Sequence, residues 1–363
     1  MSSSVPKTMK ALVTQANKTV KIEEIPVPEI DDWEILVKVV AAASNPTDWQ
    51  YIDGVTKVGT LSGCDWSGHI VKLGSKVTQL HATGLKVGDH VAGFTQGGTY
   101  KDRGAYAEYV KATYDLCWKV PEGTISHEQA ATMGCAYWTA VQCLFHPTRL
   151  GLVEPPSSAK DEYVFVYGGS SSVGMYALQL AHAAGYKVVT VASTKNHALC
   201  KSLGADDVFD YKDPEVVSKI KAATKSSLHY ALDTISKEAS QILTLNSFGP
   251  GQGKLVTILP LQEKAKQLRD DVQKQFTLIY TALGRELYTP PGEVNLYGNW
   301  PASPEDHAHM AQFLSKTPEL VASGKVQPNP VKLLEGGLNA VSEGLQYLRD
   351  GKNSGEKLVY RVA

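Results

Sequence analysis

The chain has 363 residues, 43% of them hydrophobic and 20% charged, with 36 Lys and Arg against 37 Asp and Glu. This is a globular composition with length enough for two domains, and it excludes a disordered chain, a coiled coil and a collagen-like fibre. A net charge of −1 excludes the basic surface that nucleic acid requires, and no apolar run approaches the roughly 20 residues that span a bilayer.

The five cysteines are Cys64, Cys117, Cys135, Cys143 and Cys200, with no C-x-x-C pair among them. A scattered, odd set is not a disulfide framework, so a reducing cytoplasmic setting is expected. The stretch Met1 to Met9 has no apolar signal core, and no export is expected from it.

Residues 1–120 read mostly as strands. Lys10-Ala-Leu-Val-Thr14 is short and apolar, and Val20-Lys-Ile-Glu23 alternates as a half-buried strand does. Pro26 and Pro28 break that run. Glu34 to Ser44 is rich in β-branched residues and stops at Asn45-Pro46, a turn signal. Gly63, Gly68, Gly74, Gly84, Gly88 and Gly93 then punctuate the chain at short intervals, which points to a compact, barrel-like β domain.

From Ser126 the period becomes helical, and Ser126 with Gln129 forms a capping pattern. Two helical stretches are expected to reach Phe145. A linker comes next, with Pro147, Pro155 and Pro156. Glu162-Tyr-Val-Phe-Val-Tyr167 reads as a strand buried on both faces, as in a parallel sheet. A glycine-rich turn, Gly168 to Gly174, leads into a helix from Met175 to Gly185. Further strands are expected at Tyr186–Ala192, Asp207–Tyr211, His229–Asp233 and Gly253–Leu259, with a helix from Asn196 to Leu203 that Gly204 caps. Alternating strands and helices signal a doubly wound parallel sheet. The polar segment Leu261–Asp306 shows no clear element boundaries.

The turn itself carries chemistry. A dinucleotide pyrophosphate sits over a helix N-terminus, where free N–H groups and the helix dipole favour an anion. The usual pattern is G-x-G-x-x-G; here it reads Gly169-Ser170-Ser171-Ser172-Val173-Gly174, with serine at the central glycine. Cofactor choice is read at the end of the second strand, where an acid would bind the ribose of NAD. The stretch Ala192-Ser193-Thr194-Lys195-Asn196 has no acid. Lys195 offers charge, and Ser193 and Asn196 offer donors, as a 2′-phosphate needs, so NADPH is expected. Tyr211 is expected to line the same pocket. A turn that binds nothing and an ordinary exposed lysine are the bland alternatives.

No metal is expected. Catalytic zinc needs three ligands from Cys, His and carboxylate, and beside Cys64 and Asp65 the nearest group in pattern, Asn45, is a poor one. Cys64 reads as a small buried residue. His69, His81 and His90 follow no metal-site spacing and read as surface or hydrogen-bonded residues.

Together these pieces resemble the medium-chain dehydrogenase/reductase superfamily. The carrying residues are Asn45-Pro-Thr-Asp48, Gly63-Cys-Asp65-x-x-Gly68, Val87-Gly-Asp89-His-Val91, Gly104-Ala-Tyr-Ala-Glu-Tyr109, the glycine-rich turn, Leu203-Gly-Ala-Asp206 and Ser354-Gly-Glu-Lys357-Leu-Val359. Zinc members carry Cys where Asn45 stands and His-Glu where Cys64-Asp65 stand. The chain therefore looks like the zinc-free branch of quinone oxidoreductases and enoyl reductases, and is most similar to the lovastatin-type, fungal trans-acting enoyl reductases of polyketide synthesis.

That resemblance implies an α/β fold: a β-rich, GroES-like catalytic domain from 1–130 and 291–363, and a Rossmann NADPH-binding domain with a doubly wound parallel sheet from 131–290. It places NADPH contacts on Thr47, Asp48, Ser170 to Val173, Ser193 to Asn196, Tyr211, Thr257, Ile258, Leu358 and Val359. Gln50 departs from the lysine that many such enoyl reductases carry two residues after the motif aspartate, which affects the substrate and carrier assignment. The implied reaction is hydride transfer to the β-carbon of an α,β-unsaturated carbonyl, in a cleft where the domains meet. Thr139 is the expected donor to the carbonyl oxygen, and Tyr51 or a water the proton source. A polyketide synthase carrier domain is the implied partner. Pro290-Pro291 disfavours edge pairing, so a monomer is expected. A quinone oxidoreductase and a non-catalytic NADPH-binding protein remain alternatives.

Overall fold

Short β-branched and apolar runs form the strands. The computed structural model describes residues 5–54, 57–80, 84–289 and 298–362. The strands in chain order are β1 (Thr8–Gln15), β2 (Thr19–Pro26), β3 (Glu34–Ala43), β4 (Asp65–Leu73), β5 (His90–Phe94), β6 (Tyr109–Thr113) and β7 (Cys117–Lys119). Then come β8 (Tyr163–Tyr167), β9 (Lys187–Val191), β10 (Asp207–Phe209), β11 (Leu228–Asp233), β12 (Gly253–Thr257), β13 (Val272–Phe276), β14 (Val331–Leu333) and β15 (Lys357–Arg361). They belong to two compact units, one of 1–135, 280–322 and 328–363, the other of 136–279 and 323–327.

In the first unit β1 and β2 form an antiparallel hairpin, with Leu12 opposite Ile22. A larger mixed sheet runs β14-β15-β3-β4-β5-β7, and β6 pairs with β3. β3 is central, hydrogen-bonded to β4, β6 and β15 along different parts of its length. That explains its near-continuous apolar sequence, since only Lys38 of its ten residues is exposed. Ile35, Val37, Trp66, Ile70 and Val91 fill one core of this unit, and Leu12, Ile52, Tyr106, Val341 and Tyr360 fill another. The unit runs to residue 135 and resumes at Tyr280, eleven residues before the expected 291, and the Tyr280 ring stacks on Phe94 with centroids 5.6 Å apart.

The second unit is a six-stranded parallel sheet in the order β10-β9-β8-β11-β12-β13. Numbered within the sheet, this is 3-2-1-4-5-6, the doubly wound order of dinucleotide-binding folds. All five residues of β8 are buried, as a central parallel strand requires. Phe165, Val189, Ile220, Leu245 and Leu255 pack in its core. The helix expected at Asn196–Leu203 is a 3₁₀ turn at Thr194–Asn196 continued by an α-helix at His197–Ser202. The sixth strand falls in the segment that showed no clear boundaries. Val-Gln-Lys-Gln-Phe buries only its first residue, because it forms the sheet edge. Pro290-Pro291 lies outside the described residues.

Candidate active site

The glycine-rich turn joins β8 to the helix Ser172–Ala183. Gly168 has φ +84°, a backbone region closed to most side chains. A Cβ on Gly174 would lie 2.1 Å from Gly168 O, so strand and helix approach this closely only with glycine there. Ser171 is the N-cap: its Oγ accepts from Gly174 N at 2.9 Å. The same Oγ lies 2.8 Å from Thr234 Oγ1, which donates to Tyr167 O at 2.7 Å. With the threonine hydrogen spent on that carbonyl, the Ser171 hydroxyl donates to Thr234. The serine at the central glycine position thus caps the helix, and its own hydrogen stays inside the protein.

Ser170 is different. Its Oγ accepts from Asn196 Nδ2 at 3.1 Å, which leaves its hydrogen to donate to an anion. Asn196 Nδ2 also reaches Ser193 Oγ at 3.3 Å. Ser170, Ser193 and Asn196 are therefore one hydrogen-bonded group, with the exposed Lys195 on the same short 3₁₀ turn. Tyr211 is partly exposed, its ring 6.5 Å from that of Tyr167. Sequence reasoning missed Asp210. Its carboxylate accepts from Thr194 Oγ1 and Lys212 N, both at 2.9 Å, and these bonds hold its pKa below the usual carboxylate value. It also missed Ser236, whose Oγ accepts from Ile258 N at 2.9 Å and so fixes the end of β12, where Thr257 donates to Leu259 O. Thr139 lies in the helix Cys135–Phe145 of this unit and is buried.

The first unit gathers Thr47, Asp48, Tyr51, Leu358 and Val359. Thr47, Asp48 and Tyr51 share the helix Pro46–Gly54, and Ser44 N donates to Leu358 O at 3.0 Å. Thr47 Oγ1 and Tyr280 Oη are 2.5 Å apart. Tyr51 meets Tyr280 edge-on at 5.8 Å, and its hydroxyl accepts from Gln96 Nε2 at 3.1 Å.

Asp48 is buried at the start of that helix. Its Oδ2 accepts from Asn45 N at 2.7 Å and Tyr106 Oη at 2.9 Å. Tyr106 Oη lies 2.8 Å from Ser44 Oγ, which lies 2.7 Å from Tyr360 Oη. Since Tyr106 donates to the carboxylate, Ser44 donates to Tyr106 and Tyr360 to Ser44, so each proton in the chain points toward Asp48. Burial nevertheless raises the Asp48 pKa to about 6, against the opposing effect of its hydrogen bonds.

Beside it lie Asn45, Cys64 and Asp65, the positions at which the resemblance implies that zinc members carry their ligands. Lys357 Nζ donates to Asn45 Oδ1 at 2.5 Å and pairs with Asp65 Oδ2 at 3.0 Å. Asp65 Oδ1 accepts from Cys135 N at 2.6 Å. Lys357 is 2% exposed and Asp65 fully buried. Because an ammonium can only donate, Asn45 must turn Oδ1 to it. Its Nδ2 is then a buried donor without a partner among the described residues. Burial, with the Asp48 carboxylate nearby, pushes the Cys64 thiol pKa far up. A thiol that stays protonated and a site filled by an ammonium do not fit zinc. Among the described residues no three His, Cys, Asp or Glu side chains are arranged to hold a metal ion.

The histidines form a separate cluster. His90 Nε2 and His127 Nδ1 lie 2.8 and 3.0 Å from Ser67 Oγ, and His127 Nε2 is 3.1 Å from His69 Nε2. His127, at the start of a helix that Ser126 and Gln129 cap in a reciprocal box, joins His69 and His90, which face each other across β4 and β5. His81 lies outside the described residues.

The family models that match are the alcohol dehydrogenase GroES-like domain, over residues 31–122, and the zinc-binding dehydrogenase, over residues 172–316. With the donor set above, they define a zinc-independent medium-chain dehydrogenase/reductase, an oxidoreductase of an NAD(P)-binding family. The chain is 38% identical to the trans-enoyl reductase ACTTS2 of Alternaria alternata, over 98% of this chain and 99% of that one. It is 37% identical to the trans-enoyl reductase caaB of Aspergillus niger, over 99% of this chain and 98% of the relative. It belongs to the trans-enoyl reductase family. Among solved structures, a quinone oxidoreductase from Coxiella burnetii is similar at a TM-score of 0.69 and 25% identity, over 98% of this chain and 100% of that one.

Proposed function

We propose that the chain is an NADPH-dependent reductase of activated C=C bonds in enoyl thioesters or enones, and that it works without zinc. The observation that carries the zinc-free reading is the Lys357 ammonium lodged between Asn45 and Asp65. With no electrophilic metal, stabilising charge on the substrate carbonyl oxygen falls to hydrogen-bond donors. The reaction class follows the near-full-length similarity to trans-enoyl reductases.

Ser170, Ser193, Lys195 and Asn196 fit the 2′-phosphate of NADPH, being donors and a cation, while the nearby Asp210 carboxylate is held by Thr194 and Lys212 N. When bound, that cofactor supplies the hydride for the β-carbon. Thr139 is the first candidate donor to the carbonyl oxygen and the buried Asn45 Nδ2 the second; a single such donor contributes about 10²–10³ in kcat. Tyr51, oriented by Gln96, is the candidate proton source for the α-carbon, with water as the alternative. The substrate is a small molecule, presented by a polyketide synthase carrier domain, and the chain acts as a monomer. Five free thiols, four of them buried, suit a reducing cytoplasm. Among the described residues no helix is long and apolar enough to cross a membrane.

NADPH oxidation by chelator-treated protein, with an enoyl thioester, an enone and a quinone in parallel, tests the reading. Turnover of the thioester or enone upholds it. Turnover of the quinone alone selects a quinone oxidoreductase, which the similarity to the Coxiella burnetii enzyme favours as the second reading.

A further inference from the structure

Three imidazoles crowd one spot in the first unit. His69 on β4 and His90 on β5 stand opposite each other in register, and His127 opens the capped helix His127–Ala131, which packs over both strands. The His127 ring centroid lies 4.6 Å from that of His69 and 3.6 Å from that of His90. The hydrogen bonds fix the tautomers. His69 Nδ1 lies 3.1 Å from Gly88 O, which can only accept, so this nitrogen carries the hydrogen and Nε2 a lone pair. His127 Nε2, 3.1 Å from that lone pair, must donate to it. His127 Nδ1 is then an acceptor, and the Ser67 hydroxyl donates to it at 3.0 Å. His90 Nε2 donates to Ser67 Oγ at 2.8 Å. Burial holds His90 and His127 at pKa values of about 3 and about 4, so both rings are neutral near pH 7.

We propose that His69 Nε2 and His127 Nε2 are the two protein ligands of a surface site for one divalent transition-metal cation of the zinc class, completed by water. Their separation of 3.1 Å is close to the roughly 3.3 Å between two ligands held about 2.05 Å from a tetrahedral zinc. One proton shift readies the pair. The His127 hydrogen moves from Nε2 to Nδ1 by exchange with solvent and donates to Ser67 Oγ, and the Ser67 hydroxyl turns to Val91 O, 3.2 Å away. The protein gains and loses no proton in this step. Each ligand then donates its other ring hydrogen to a fixed oxygen, His69 to Gly88 O and His127 to Ser67 Oγ, which is the support that metal-bound imidazoles carry. Ser67 is fully buried, so that support is held in place, while the exposed His69 keeps the ion open to water ligands. Imidazole nitrogen favours zinc, copper or nickel over magnesium and calcium, which take oxygen. Among the described residues no third His, Cys, Asp or Glu side chain is placed to join the two, so the ion exchanges with solution. None of these residues belongs to the group formed by Lys357, Asn45 and Asp65, and the ion takes no part in the proposed reaction. Its effect is to tie the start of the helix to β4.

The test uses the untagged full chain, stripped with a chelator, dialysed and titrated with zinc chloride in a calorimeter. The wild type should bind zinc saturably, and binding should weaken by about tenfold or more in His69→Gln and in His127→Gln, the scale on which even an outer partner of a metal ligand acts. The double variant should lose little beyond either single one, because the two rings hold one ion. Ser67→Ala, which removes the support behind His127, should weaken binding by about tenfold. His182→Gln, at an exposed histidine of the second unit, should bind as the wild type does. Zinc should raise the Tm of the wild type and leave that of His69→Gln unmoved, and magnesium should move neither. His69→Gln decides alone if His127→Gln does not fold, since the His69 side chain is exposed. Zinc affinity unchanged in His69→Gln, or no saturable binding to the wild type, overturns the proposal.

Discussion

Lys357 Nζ and Asp65 Oδ2 are 3.0 Å apart, in side chains almost wholly withdrawn from water. Removing either partner leaves a buried charge unanswered. Lys357→Met should cost about 3–5 kcal/mol of stability, read as a fall in Tm or denaturation midpoint. The exposed pair Lys76–Asp32, 3.7 Å apart, is the control, and Lys76→Met should change stability by no more than about 1 kcal/mol. Equal small losses from both variants would show that the buried pair adds nothing. Lys357→Met also frees the Asn45 amide, so activity should fall further than the remaining folded fraction explains.

Acid should loosen the first unit at its histidines. Burial, reinforced by neighbouring imidazoles, depresses His90 to a pKa of about 3 and His127 to about 4, from the ordinary 6.5. The unfolded chain therefore binds protons first, so the stability from keeping these rings neutral is whole above pH 6.5. It drains as pH falls toward 4 and then 3. Thermal melts across this window should show a steep loss in the wild type and a shallower one in His127→Gln. Parallel curves would assign the acid sensitivity to other groups.

On the proposed placement of the 2′-phosphate beside that turn, Lys195→Glu should weaken NADPH binding by about tenfold or more and leave NADH, which lacks that phosphate, nearly unaffected. Fluorescence titration of both cofactors reads the difference. An equal change for both would place Lys195 away from the 2′-phosphate.

Ser171→Ala should lower stability by about 1 kcal/mol through loss of the helix cap. NADPH affinity should stay near wild type, since the serine hydrogen is held by Thr234. A large loss of affinity would show that this hydroxyl reaches the cofactor.

Thr139→Val should reduce kcat on an enoyl substrate by about a hundredfold, the scale of one oxyanion donor, with NADPH binding little changed. A kcat at the wild-type level removes Thr139 from the chemistry.

The doubly wound sheet was legible because its central strands carry their own signature. An apolar run such as Tyr163–Tyr167 that enters a glycine turn and a capped helix has few other interpretations. β13 escaped because an edge strand with one buried residue has no apolar pattern to read. At the candidate site, the motif around Ser170 could be found by spacing and the one around Asn45 by its resemblance. The ammonium between Asn45 and Asp65 could not, since Lys357 lies 312 residues from Asn45 and looks like any strand-end lysine. The contact of Arg285 with Glu34 is hidden for the same reason, since it spans 251 residues.

Strand β15 also sets an order of assembly during synthesis. Ser44 and Tyr360 are hydrogen-bonded across 316 residues, and β3 pairs with β15 at its far end. While the ribosome extends the chain, the parallel-sheet unit, almost all of it from one continuous stretch, has its strands in hand well before residue 357 is made. The unit begun first is thus completed last. Until Tyr360 and Lys357 emerge, Ser44 and Asp65 wait without these partners, and a nascent chain arrested upstream of residue 357 has all six strands of the parallel sheet but lacks β15.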